Sequence, residues 1–170
     1  ATQTESSEIR ETQPVTLRTA IYAGAGAWDE SITAAENLFA WMGVPVERVD
    51  QNTINADALE GYDILLIPGG DMYQYDQDIS SRGDENIREF VQSGGCYVGI
   101  CGGAYFASQE VIWRGETLPM SPLGLFSGTA QGPIHEIVSF PDYGMSTVEI
   151  VTPNHPVTES SPKMMQMLYY

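Results

Sequence analysis

The sequence predicts an α/β fold, an open parallel sheet with helices on both faces. Two observations predict it. Apolar runs of strand length alternate along the chain with segments whose apolar residues recur at helical spacing, the pattern of a parallel sheet with crossover helices. Glycine-rich turns, "PGG" and "GICGG", close two of the strand-like runs, at the carboxyl ends of strands where ligand sites of open sheets form.

The elements follow in order. "VTLRTAIYAG", Val15 to Gly24, reads as the first strand, and "GAGAWDES" as the loop leaving its carboxyl end. Ile32, Ala35, Leu38, Phe39 and Met42 then recur at helical spacing, and Gly43 stops that helix. "VPVERVD" is a short second strand, and Asn55 is placed to cap a brief helix through Glu60. "YDILLIPGG", Tyr62 to Gly70, is a buried third strand ending in a tight loop, followed by a polar excursion, "DMYQYDQD". Ile87, Phe90 and Val91 mark a further helix stopped by Gly94 and Gly95; "CYVGI", Cys96 to Ile100, is the fourth strand, and a helix starts at Gly102. From about Leu123 to Val151 we expect added strands beside or beyond the main sheet.

A chain of 170 residues buries one substantial core and hardly two. We expect a single domain over residues 15–170, after a polar tether over residues 1–14, "ATQTESSEIRETQP", which shows neither helical nor strand periodicity. An opening Ala1-Thr2-Gln3 without an initiator methionine is what removal of a signal or lipoprotein leader, or of an expression tag, leaves behind. Extracytoplasmic and cytoplasmic locations are equally open on this reading. At the other end "MMQMLYY" stops inside an apolar, strand-like run, as a shortened carboxyl terminus would.

The balance of 23 acidic against 7 basic residues, a formal charge of −16, argues against a nucleic-acid backbone or an anionic membrane surface as partner. An acidic surface of this kind is ordinarily a solubility feature. No apolar run approaches the roughly 18 residues needed to cross a bilayer.

The chemistry concentrates on Gly99-Ile100-Cys101-Gly102-Gly103. A glycine two residues to each side of a nucleophile is the form of an elbow, in which strand and helix pack closely and the central residue takes a strained conformation that turns its side chain outward. A thiol there also sits at a helix amino terminus, where unpaired N–H groups and the helix dipole favour thiolate. A buried cysteine is otherwise an inert small hydrophobe; the double-glycine frame sets Cys101 apart. Cys96 opens the same strand. Five extended residues span roughly 16 Å, beyond the ~7 Å that a disulfide bridges, so the two cysteines are expected to stay unbridged, with Cys96 packed in the core.

"PGG" ending one strand, followed about thirty residues later by "GICGG" ending the next, resembles the class I glutamine amidotransferase-like superfamily, whose sheet is flavodoxin-like. With "IPGGDMYQY", "GICGGAYFAS" and "LGLFSGTAQGPI" the chain looks most like the domain at the amino terminus of yeast-type biotin-protein ligases, a resemblance that covers roughly residues 15–170. It implies that Cys101 is the reactive cysteine and that the N–H groups of Gly70 and Gly102 form the oxyanion hole. Gly69, Asp71, Gly103 and Tyr105 would then border the pocket.

A thiolate attacking an amide or ester needs N–H donors for the charge on the tetrahedral intermediate, and an acid to protonate the leaving amine. His135, followed by Glu136, and His155, within Asn154-His155-Pro156, are the two histidines. His155-Pro156 is similar to the catalytic His-Pro-Glu of true amidotransferases, but Val157 stands where the glutamate would be and the spacing from Cys101 is shorter. His135 lies in a loop bounded by glycine and proline, where a structural role is the ordinary one. Without close ligand spacing, Cys101, His135 and His155 do not read as a metal site, and no cofactor is called for. "GAGAW" lacks the third glycine of a dinucleotide fingerprint. "DMYQYDQD" reads as a solvated loop or as the lining of a pocket for a polar or cationic ligand.

Three functions stay open. One is a cysteine-centred acyl-transfer or hydrolase-like enzyme with an incomplete triad, acting on a small amide or peptide. The second is a ligand- or partner-binding module that keeps the elbow cysteine without turnover. The third is a thiol redox or electrophile-scavenging protein. A small-molecule amide or peptide is the expected ligand, with a protein partner or a second copy of the chain left open.

Overall fold

The structure, a computed structural model, describes residues 16–169. The expected tether and the expected start at Val15 lie outside the described residues, as does Tyr170. The described residues divide into two compact units, the first ending at Phe106 and the second starting at Ala107.

In the first unit, β1 (Thr19–Tyr22), β2 (Val46–Val49), β3 (Ile64–Ile67) and β4 (Cys96–Gly99) form one sheet in the order β2-β1-β3-β4, parallel at every pairing. This is the flavodoxin-like order, which reverses direction between β1 and β3 and opens a crevice at their carboxyl ends. Each strand is shorter than the sequence suggests, because the apolar runs continue into the loops. Ala20, Ile21 and Tyr22 of β1 and Leu65, Leu66 and Ile67 of β3 are all buried. Successive side chains point to opposite faces, so burial of every residue means that both faces are covered.

On one face α1 (Asp29–Met42) lays Ile32, Ala35 and Phe39 against Ile21 and Leu66, each full burial of a large apolar side chain contributing about 1.5–3 kcal/mol. Leu38 and Met42, expected on this apolar stripe, are instead 51% and 55% exposed beside Trp41; they lie on the flank of the helix, past the reach of the sheet. Gly43 ends α1 with φ +71, its N–H on Ala40 O at 3.1 Å and the Val44 N–H on Phe39 O at 2.9 Å. The left-handed turn is the reason for glycine there. On the other face Tyr22 meets Tyr75 edge-on at 5.4 Å, and Tyr75 meets Phe106 at 6.2 Å.

Two short helices differ from expectation. α2 (Gln51–Asn55) starts earlier than the Asn55 cap predicts: Asp50, at the end of β2, accepts from the Thr53 N–H at 3.0 Å. Asn55 ends that helix and ties two segments together, donating to Asp78 O at 3.1 Å and accepting from the Ser80 N–H at 2.9 Å. The polar excursion after "PGG" is a helix, α3 (Met72–Asp78), capped by Asp71 and burying Tyr75. The Asp71…Gln74 spacing is a helix-start signature that the polarity of the segment hid. α4 (Ser81–Gln92) begins at the Ser80 cap, and α5 (Gly102–Phe106) follows the elbow.

In the second unit β5 (Glu110–Trp113), β6 (Glu116–Thr117) and β7 (Thr129–Gly132) form a sheet in the order β6-β5-β7. Arg114 and Gly115, both at positive φ, make the two-residue turn between β5 and β6, the geometry that suits a tight hairpin. β8 (Gly144–Glu149) and β9 (Met164–Tyr169) pair as an antiparallel ribbon. The strands expected after Leu123 are thus present in sheets of their own. Among the described residues no helix is long and apolar enough to cross a membrane.

Asp84 of α4 is buried, with Oδ1 lacking a hydrogen-bond partner. Burial raises its pKa to about 6, opposed by Arg88 and reinforced by Asp76 and Glu85. A carboxyl held above its unfolded value near 3.9 contributes stability that is complete below pH 4 and lost as pH rises through about 6. In urea unfolding, Asp84→Asn should therefore gain about 2 kcal/mol relative to the parent between pH 4 and pH 7.5, from the shift at about 1.4 kcal/mol per unit; a difference that does not change with pH would refute the assignment.

Candidate functional site

The site is built at the reversal point of the sheet, from the loops that leave β1, β3 and β4. The first two are joined backbone to backbone. Ala27 and Gly70 form an isolated antiparallel bridge, in which the Trp28 N–H donates to Gly69 O at 3.0 Å and the Asp71 N–H donates to Gly26 O at 2.9 Å. The Gly69 N–H donates to Ser31 Oγ at 2.8 Å. These bonds occupy the polar groups on both sides of the Gly70 N–H, which itself takes no part in the bridge.

The third loop packs against the second without side chains between them. A Cβ on Gly102 would overlap Gly70 O, one on Gly103 would overlap Ile67 O, and one on Gly70 would overlap Gly26 O and the Tyr75 hydroxyl. A Cβ on Gly99 would lie 2.6 Å from Gly103 O, which is why the elbow is framed by glycine on both sides. The Gly103 N–H donates to Pro68 O at 3.2 Å and to Ile100 O at 2.9 Å. Cys101, between these glycines, has φ +49, a left-handed conformation costing of order 1–3 kcal/mol in a non-glycine residue, and its side chain is exposed. Ala104 and Tyr105 N–H groups donate to Cys101 O at 2.9 and 3.0 Å, starting the short helix α5.

The structure brings Gly69, Gly70, Cys101, Gly102 and Gly103 together: a Cβ built on Gly69 would lie 3.4 Å from Cys101 Cβ. Asp71, expected at the pocket border, spends its carboxylate on the α3 cap, with Tyr73 N at 2.9 Å and Gln74 N at 3.3 Å. Tyr105 is half-buried in α5. His135 and His155 belong to the second unit, each exposed on a turn. His155 Nδ1 accepts from the Val157 N–H at 3.2 Å, which puts the neutral ring's proton on Nε2. Neither histidine forms an ion pair among the described residues, and no group of three or more His, Cys, Asp or Glu is gathered to hold a metal there. A cavity of about 490 Å³ in the second unit, lined by residues of β5 to β7 and their loops such as Glu110, Leu118 and Met120, includes none of these candidate residues.

Sequence reasoning missed the side chains that fix the loops. Tyr75 donates to Pro68 O at 3.1 Å, Tyr97 to Gly103 O at 2.8 Å and Tyr22 to Ala25 O at 3.2 Å, one phenol for each loop. Desolvation raises the pKa of all three; for Tyr75, Tyr22 and Cys101 add to it. Tyr22 and Tyr97 stand in strand-like runs, Tyr75 in the polar excursion that read as a loop or pocket lining, and Ser31 in the loop after the first strand; none carries a motif. Cys96, expected in the core, is exposed, because β4 lies at the end of the sheet order and its first residue is not covered. Both cysteines are free.

A 2-1-3-4 parallel sheet carrying a cysteine elbow against a Pro-Gly-Gly turn is a class I glutamine amidotransferase-like fold, and solved structures of that class match it. A glutamine amidotransferase matches with a TM-score of 0.53 at 19% identity, over 66% of this chain and 55% of that one. A Thermoplasma acidophilum protein provisionally assigned to GMP synthase matches with a TM-score of 0.54 at 15% identity, over 91% and 64%. At these identities the likeness is one of fold. Within that class, the chain belongs to the family described as "Biotin-protein ligase, N terminal", whose model matches residues 17–170. The biotin-protein ligase of Schizosaccharomyces pombe is 32% identical over 91 residues, 50% of this chain and 14% of the ligase. The chain spans less than half the length of each of the curated relatives it matches.

The exposure of both thiols gives a direct check on the corrected placement of Cys96. Titration of the native protein with a chromogenic disulfide should count two thiols, and Cys96→Ser and Cys101→Ser should each count one. A native count of one, with the second thiol appearing only in denaturant, would return Cys96 to the core.

Proposed function

We propose that this chain carries a cysteine-centred acyl-transfer site for a small amide or peptide, with Cys101 as nucleophile and the Gly70 and Gly102 N–H groups as the oxyanion hole. One observation carries the reading: an exposed cysteine at φ +49 stands on an elbow whose following residue, Gly102, is packed against the Gly70 peptide. The Gly70 and Gly102 N–H groups donate none of the backbone bonds that fix these loops. Attack by the Cys101 thiolate on an acyl carbon moves the C=O electron pair onto oxygen, and two fixed donors beside that oxygen stabilise it without reorganisation. Collapse expels the leaving group, an amine taking up a proton from solvent as its C–N bond breaks, and leaves a thioester on Cys101, which water or an amine then cleaves, releasing the acid or the new amide and restoring the thiol. The family and the amidotransferase-like neighbours support the fold of such a site; the reaction is our reading of its geometry.

A second reading, a binding module that keeps the thiol without turnover, is favoured by the histidines. Both lie on exposed turns without a carboxylate partner among the described residues, whereas an acid that serves a leaving amine is held in place by one. The two readings separate on the second half of the reaction. With 4-nitrophenyl acetate and Cys96→Ser protein, mass spectrometry should show one acetyl group on Cys101, absent in Cys101→Ser, and a steady-state release of nitrophenolate after the first equivalent. A single burst without further release would support the binding module, and no acetyl group on Cys101 would sink the acyl-transfer reading.

A further inference from the structure

We infer that Ser31 is a positioning residue for this site, holding the Gly69–Gly70 turn so that the Gly70 N–H faces the acyl oxygen; the inference rests on the acyl-transfer reading above. Ser31 is the third residue of α1, where a serine ordinarily turns its hydroxyl to its own helix. Here Ser31 Oγ accepts from the Gly69 N–H at 2.8 Å, thirty-eight residues away. The same residue is held from its other side, since Gly69 O accepts from the Trp28 N–H at 3.0 Å. Gly69 is thus clamped at both polar atoms by the start of α1, and Gly70 follows it directly. The clamp also sits beside the nucleophile: the position of a Gly69 Cβ is 3.1 Å from Ser31 Oγ and 3.4 Å from Cys101 Cβ.

The physical consequence is specific. An N–H donor is useful to a transition state only if it is already aimed at where charge develops. Without the hydroxyl, the Gly69 N–H must find another acceptor, and the peptide that carries the Gly70 N–H keeps the Trp28 bond to Gly69 O but loses the anchor on its other side, so its aim loosens. Cys101 itself is held by other bonds, those of Gly103, Ala104 and Tyr105, so its thiol should keep its place. Loss of Ser31 therefore separates two reactions of the same thiol. Acylation builds an oxyanion; alkylation by iodoacetamide, in which the sulfur displaces iodide at a saturated carbon, builds none.

The experiment uses Cys96→Ser protein and compares Ser31→Ala and Ser31→Thr in that background. Acetylation of Cys101 by 4-nitrophenyl acetate should slow about tenfold in Ser31→Ala, less than the 10²–10³ lost when a donor is removed outright. The rate of alkylation by iodoacetamide should stay within about twofold, which also reports that the elbow is folded. Ser31→Thr, which keeps the hydroxyl, should acylate at close to the parental rate. Equal loss in both reactions, or unchanged acylation in Ser31→Ala, would overturn the role of Ser31 while the acylated parent keeps the wider reading. A parent that is not acylated at all would overturn both.

Discussion

The contact on which the site depends is the one between two stretches of bare backbone, Gly69–Gly70 after β3 and Gly102–Gly103 after β4. β3 and β4 are neighbours in the sheet, in register from Ile64 with Cys96 to Ile67 with Gly99, so their exits run side by side. Side chains on the β4 exit would push the two apart, since a Cβ at Gly102 would meet Gly70 O and one at Gly103 would meet Ile67 O. Without side chains the exits close on one another. The strained Cys101 conformation is carried by this packing, by the Gly103 N–H on Pro68 O and Ile100 O, and by the Ala104 and Tyr105 N–H groups on Cys101 O.

Around that contact the protein arranges donors rather than charges. Each of the three loops has a carbonyl held by a tyrosine hydroxyl from the core, and desolvation keeps those phenols protonated. A donor that does not ionise near neutral pH holds its loop over a wide pH range. Asp71 caps α3 with its carboxylate, and tyrosines, which carry no motif, hold the loops.

Much of this was legible in the sequence, and what was not has a physical reason. Strand and helix order could be read because apolar periodicity records which face is buried, and Gly43 marked its helix end because a left-handed cap favours glycine. The elbow and the Pro-Gly-Gly turn were legible because close backbone approach admits no other residue. The clamp by Ser31 was not, because a hydrogen bond between residues thirty-eight apart leaves no local pattern, and the phenol bonds were not, because a tyrosine hydroxyl bonded to a main-chain carbonyl follows no residue motif. The α3 helix was hidden by its polarity, and Cys96 was misplaced because a strand's position in the sheet order is not written in its own residues. The histidines were found as residues; the geometry that would make either of them an acid is not encoded in their neighbours.

The most direct test of the account is a crystal structure of Cys96→Ser protein treated with a small peptide aldehyde, which adds to a reactive thiol as a thiohemiacetal and so imitates the tetrahedral intermediate. The account predicts an adduct on Cys101 with its oxygen about 3 Å from both the Gly70 and the Gly102 nitrogens. An adduct whose oxygen turns to solvent with neither N–H as partner, or a Cys101 left unmodified, would contradict it.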